Sequence, residues 1–155
     1  MDHPAIHHLS RADKTLGRLI AKVGPCTLKP SSRTAPFEAL VKAVTFQQLN
    51  GTAAKTLEGL VPGTRAIVRM SDEEIAERLT RVRGVGPWTV DMLLMFTLGR
   101  RDVLPATDYG VRKGFALVYG WNDLPSPKEL LDHGERWRPH RTTAAWYLWR
   151  ALELP

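Results

Sequence analysis

An isolated carboxylate, Asp108, stands in Leu104-Pro105-Ala106-Thr107-Asp108-Tyr109, some twenty residues after a Gly-x-Gly turn in Arg83-Gly84-Val85-Gly86-Pro87-Trp88-Thr89. A tight turn of this kind between two helical patterns presents bare backbone N–H groups beside a helix N-terminus, where the macrodipole also favours an anion. The residue types suit a phosphate seat: Gly84 and Gly86 can take positive φ and admit a ligand close to the backbone, and Pro87 fits the first helical position. Asp108 can supply a fixed negative charge beneath a centre that becomes cationic in a transition state. It can equally cap a helix beginning at Tyr109, and the two roles are compatible.

The elements that must position these residues are helical nearly throughout. Phe37, Leu40, Val41 and Val44 recur at i, i+3, i+4 and i+7 behind Pro36, the pattern of an amphipathic helix with proline in its first turn. Gln47-Gln48-Leu49-Asn50-Gly51 interrupts it, a short helix follows from Thr52 to about Leu60, and Val61-Pro62-Gly63 marks a turn. Ser71-Asp72-Glu73-Glu74 reads as a capping box for the first hairpin helix, with Ile75, Leu79 and Val82 on one apolar face. The second hairpin helix is expected from Pro87 to about Leu98, apolar nearly all round and therefore central. Further helices are expected at Tyr109–Tyr119, after the Ser126-Pro127-Lys128-Glu129 cap, and over roughly Thr142–Leu152. The one extended piece suggested is short, near Cys26-Thr27-Leu28.

Composition narrows the classes. The 155 residues, 43% of them hydrophobic, suffice for one core and are short for two domains, so a single domain over 1–155 is expected. Twenty-two Lys and Arg against 16 Asp and Glu give a net charge of +6, which suits a polyanionic partner. The excess lies in residues 1–69, which carry ten basic and four acidic side chains. Cys26 is the only cysteine, which excludes an internal disulfide, a Cys-ligated iron–sulfur cluster and a Cys-rich zinc site. No apolar run approaches a membrane span and the N-terminus lacks a signal-peptide core, so the cytoplasm is the expected location. His3, His7 and His8 fall in a polar stretch expected to be a solvated terminus rather than a metal site.

Four blocks occur in order: Pro36-Phe37-Glu38-Ala39-Leu40-Val41-Lys42-Ala43 with Gln47-Gln48-Leu49; Arg83-Gly84-Val85-Gly86-Pro87-Trp88-Thr89-Val90-Asp91-Met92-Leu93-Leu94-Met95-Phe96; Asp108-Tyr109; and Trp137-Arg138-Pro139-His140-Arg141 with Ala145-Trp146-Tyr147-Leu148-Trp149. Together they resemble the 3-methyladenine DNA glycosylase II (AlkA-like) branch of the helix-hairpin-helix DNA glycosylases, over most of residues 9–153. The resemblance implies an all-α helix-hairpin-helix body that excises alkylated purines of the 3-methyladenine and 7-methylguanine type from double-stranded DNA. It would act by base flipping in base excision repair, in the cytoplasm of a bacterium at its nucleoid.

On this resemblance Asp108 matches the catalytic aspartate. Cleaving an N-glycosidic bond builds positive charge on the sugar, and an alkylated base, already cationic, leaves without an acid. Trp88 holds the position where the superfamily's bifunctional lyases carry their Schiff-base lysine, which implies hydrolysis without strand cleavage. Trp88 and Trp149, with Met92 and Tyr109, match the base pocket, where indole faces attract electron-poor purines. Gln48 and Leu49 match the wedge that fills the gap left by a flipped nucleotide. Arg83, Gly84, Val85, Gly86, Thr89 and Arg141 match DNA contacts. The hairpin carbonyls of Arg83 and Val85 match a monovalent-cation site, and no organic cofactor is implied.

The chain departs from the family between Leu60 and Met70, where relatives carry several dozen more residues and this sequence crosses on Val61-Pro62-Gly63-Thr64-Arg65-Ala66-Ile67-Val68-Arg69. Apolar surface uncovered by that shortening is expected to be exposed or to pair two copies as a homodimer. The competing reading is a non-catalytic helix-hairpin-helix DNA-binding module that lost its pocket through the same deletion. A protein-interaction fragment would leave Asp108, Trp88 and Trp149 without a reason.

Overall fold

The computed structural model describes residues 4–30, 38, 64–82 and 84–155. Among them the helices are α1 (Pro4–Ala12), α2 (Lys14–Val23), α3 (Thr64–Ile67), α4 (Asp72–Leu79), α5 (Pro87–Met92), α6 (Tyr109–Tyr119), α7 (Pro127–Gly134) and α8 (Arg141–Ala151). A π-helical turn, Leu93–Thr97, continues α5, and a 3-10 turn, Glu135–Trp137, follows α7. No strand occurs among the described residues, in keeping with the all-α expectation, and the piece near Cys26 is irregular chain. The helices expected behind Pro36 and from Thr52 lie outside the described residues, apart from Glu38, which is helical.

The chain gathers into two compact units, 1–28 with 101–155, and 29–100. Because the first is assembled from both ends of the sequence, no step in composition marks its border.

In the first unit, α1 is a helix rather than the solvated tail expected from its histidines: Ala5 and Leu9, one turn apart, are buried, and His8 packs edge-on against His140. Asp13 then ends α1 and starts α2. Its side chain accepts from the amides of Thr15 and Leu16, so a single residue satisfies two otherwise orphaned donors. The same carboxylate is buried and accepts from the Tyr119 hydroxyl at 2.7 Å and Trp137 Nε1 at 3.1 Å, with His133 Nε2 at 3.1 Å. Burial opposes its ionisation, but the bonds from His133, Tyr119, the Leu16 amide and Trp137 outweigh that and hold it well below the usual carboxylate range. Phe115 stacks on Tyr119 and meets His133 edge-on, which seats α6 against α7.

Helix α8 runs beneath this cluster with Ala144, Ala145, Tyr147 and Leu148 buried, and the Tyr147 hydroxyl donates to the Gly24 carbonyl at the end of α2. Among the described elements its chief packing partner is α6. Gly114 makes that crossing close: a Cβ there would run into the Leu148 carbonyl. Gly120, left-handed at φ 69°, ends α6 where the sequence places its stop.

In the second unit the described part of the short crossing begins at Thr64. α3 is one turn, its Ile67 fully buried, and Arg100 donates to the carbonyls of Val68 and Met70 while pairing with Asp72 at 3.0 Å. The Ser71–Glu74 capping box opens α4 as expected. Ile75, Leu79, Val82, Val85, Val90, Leu93, Leu94 and Met95 are buried, so the hairpin and both its helices share one core. The second hairpin helix departs from a regular helix to Leu98: it is α-helical only to Met92, and Leu98 N–H reaches back five residues to the Leu93 carbonyl.

Candidate active site

Asp108 lies at the end of a loop fastened to α8 at both ends. At the start, Asp102 accepts from Arg141 Nε at 2.8 Å, and the Val103 amide donates to Thr142 Oγ1 at 3.0 Å. Leu104, Pro105 and Ala106 are buried, so the strut between cannot swing into water. At the far end Asp108 caps α6, its Oδ1 accepting from the Val111 amide at 2.7 Å, and the same oxygen accepts from Trp149 Nε1 on α8 at 2.8 Å. The carboxylate is half-buried, and two donors fix its orientation before any ligand arrives. Capping and the geometry of a positioned anion are realised together. Tyr109 follows directly, 63% exposed, with Lys113 Nζ 5.9 Å from its ring centre.

The hairpin lies in the second unit. Gly84 has φ +91°, a conformation that glycine adopts without the steric penalty other residues meet. Gly86 differs from expectation: it is extended at φ −95°, a conformation open to any residue, and a Cβ there would meet nothing within 4 Å. What its lack of a side chain leaves is an N-cap that offers the first turn of α5 no side-chain acceptor. Pro87 occupies the first turn as expected. Val85 is buried and anchors the turn, its amide donating to Val82. Thr89, expected as a DNA contact, is likewise buried. Trp88 is 41% exposed, and Met92, one turn on along the same face, is half-buried. Arg83, with its carbonyl at the expected cation site, and Gln48 and Leu49 of the expected wedge lie outside the described residues.

Arg141, expected as a phosphate contact, is held by partners within the protein. Its side chain is only 12% exposed, Nε and Nη2 donate to the Asp102 carboxylate and carbonyl, and Nη1 lies 3.6 Å from Glu135. The guanidinium clamps the start of the Asp108 loop to α8. Sequence reasoning passed over Asp13 and Asp102, whose partners are remote in sequence. It also passed over Asp91, whose acid is pushed up to about 7 by burial and by the like charge of Asp72. Among the described residues no cluster of His, Cys, Asp or Glu has the makings of a metal site, and no helix is long and apolar enough to cross a membrane.

No family model matches the chain. It is 32% identical to DNA-3-methyladenine glycosylase 1 of Schizosaccharomyces pombe, covering 95% of this chain and 86% of that protein. The alignment spans 196 positions against 155 residues here, so roughly fifty positions of the relative have no counterpart, as a shortened chain requires. The solved structure of the Schizosaccharomyces pombe 3-methyladenine DNA glycosylase in complex with abasic DNA matches at a TM-score of 0.85, with 30% identity over 98% of both chains. A DNA-3-methyladenine glycosidase from Bacillus halodurans matches at 0.80, with 26% identity over 97% of this chain and 89% of that one. With a hairpin between two helices, an aspartate capping the helix that follows, and likeness along its whole length, the chain belongs to the DNA-3-methyladenine glycosylase family of the helix-hairpin-helix superfamily.

Proposed function

We propose that this protein excises alkylated purines from duplex DNA by hydrolysis and leaves an intact abasic strand. The observation that carries the reading is Asp108, a half-buried carboxylate held on one oxygen by the Val111 amide and the Trp149 indole. As the N-glycosidic bond breaks, positive charge grows on the sugar, and an anion already fixed in place stabilises it with little reorganisation. A base alkylated on a ring nitrogen carries its own charge and departs as a neutral molecule, so no general acid is needed. Trp88 supplies no amine, and the segment from Arg83 to Met92 contains no lysine, which leaves no imine route to strand cleavage there. The Gly84 and Gly86 amides at the start of α5 would seat a phosphate, and the exposed face of Trp88 offers an electron-poor purine a stacking surface.

The test is incubation with a duplex bearing one 7-methylguanine, followed by alkali and, separately, by borohydride. Alkali-labile breaks without a borohydride-trapped adduct are expected. Tight binding with no base release would mark a non-catalytic binding module instead, and a trapped adduct would overturn the assignment of hydrolysis alone.

A further inference from the structure

Capping α6 needs one acceptor for one early amide, and Asp108 Oδ1 already provides it to Val111. The second donor on that oxygen, Trp149 Nε1, comes from α8, 41 residues along the chain. Nothing in the local capping geometry calls for it. Two glycines on one face of α6, a turn apart, set its approach. Gly114 lets the α6 backbone lie against the Leu148 carbonyl, and a Cβ built on Gly110 would stand 2.9 Å from Trp149 Cδ1, 3.1 Å from Trp149 Nε1 and 3.1 Å from Asp108 Oδ1. Any side chain at 110 therefore intrudes on both members of the same hydrogen bond. Gly110 is the second residue of α6 and has no positive φ to explain it. Clearance for the bond does explain it.

We propose that Trp149 serves excision as a positioning residue: its indole N–H orients the Asp108 carboxylate, and Gly110 is kept free of a side chain so that the two can meet. The proposal rests on Asp108 being the catalytic carboxylate. Stacking of the indole against a base would be a separate contribution, which the phenyl ring of a phenylalanine largely retains.

The experiment is single-turnover excision of 7-methylguanine at saturating protein for the parent, Trp149→Phe, Gly110→Ala and Asp108→Asn, and for each of the first two substitutions combined with Asp108→Asn. Affinity for abasic duplex is measured in parallel. Trp149→Phe removes the donor and is expected to slow excision roughly 10-fold, about the loss of one hydrogen bond to a charged group, with abasic-duplex affinity unchanged. Gly110→Ala keeps every reacting group and is expected to slow excision similarly. In the Asp108→Asn background neither substitution should cost anything further, because both act through the carboxylate.

A Trp149→Phe protein as fast as the parent would overturn the proposal. So would one whose loss persists undiminished in the Asp108→Asn background, which assigns Trp149 to the base alone. Should Gly110→Ala fail to fold, the Trp149→Phe pair still decides. If Asp108→Asn itself excises at the parental rate, the catalytic reading of Asp108 has failed, a result distinct from either of these.

Discussion

Asp13→Ala is expected to cost this small protein a large part of its stability, although Asp13 touches no residue of the candidate site. The carboxylate caps α2 through the amides of Thr15 and Leu16, a contribution of about 1 kcal/mol. It also satisfies the Tyr119 hydroxyl and the indole N–H of the fully buried Trp137. Each of those donors, left without an acceptor, costs about 1–3 kcal/mol. The sum is on the order of 3–7 kcal/mol, against a total of about 5–15 kcal/mol for an ordinary domain. Urea unfolding at pH 7, followed by tryptophan fluorescence, measures it. The same bonds fix a pH dependence. With its folded-state acidity held below the ordinary 3.8, Asp13 contributes fully above about pH 4, and that contribution is lost as pH falls below the ordinary value toward the folded one. The parent should therefore weaken steeply in acid, and Asp13→Asn, already weakened at neutral pH, should lose this component of the slope. A loss under 1 kcal/mol at pH 7 for Asp13→Ala, or an unchanged acid slope for Asp13→Asn, would refute the account of Asp13 as the brace of the first unit.

Asp91 has the opposite sign. Its acid is raised to about 7, so its contribution is most favourable below the ordinary 3.8, declines as pH rises to about 7 and is flat beyond; Asp91→Asn should stabilise at pH 8 by roughly 1–2 kcal/mol after allowance for its partial exposure, checked by thermal melts at pH 5 and 8. At the hairpin, Gly84→Ala should weaken binding to damaged and undamaged duplex alike because φ +91° strains a side chain, whereas Gly86→Ala should be accommodated by the fold; equal effects in a binding titration would argue against this distinction. Arg141→Ala should lower the melting temperature and the excision rate by loosening the Asp102 clamp while leaving the salt dependence of DNA binding unchanged; a log–log slope shallower by about 0.9 would show a phosphate contact instead.

What could be read from the sequence was local. The boxes at Ser71–Glu74 and Ser126–Glu129 and the stop at Gly120 are written within four residues of the helix ends they define, and each is found where its pattern places it. Asp108 as a cap is of the same kind. The tertiary partners were not legible. Asp13 meets Tyr119, His133 and Trp137 across more than a hundred residues, and nothing near it in the chain distinguishes a buried hub from an ordinary helix cap. Arg141 reads from sequence as a surface cation, and only the structure shows Asp102, 39 residues away, holding it. Both glycines of the Gly-x-Gly pair can take a left-handed conformation, and the sequence does not say that the turn uses it only at Gly84. The spacing Gly110-x-x-x-Gly114 was visible in the sequence, but its meaning depends on which helix crosses there.

The most direct measurement is single-turnover excision of 7-methylguanine by Asp108→Asn at saturating protein, where a binding defect cannot mimic a chemical one. Asparagine keeps an oxygen for the Val111 amide and the Trp149 indole while removing the charge, so the fold and DNA affinity should persist. Excision should fall by about 10²–10³-fold, the effect of roughly 3–4 kcal/mol of transition-state stabilisation. An Asp108→Asn protein that releases the base as fast as the parent would reduce Asp108 to a helix cap and contradict the account.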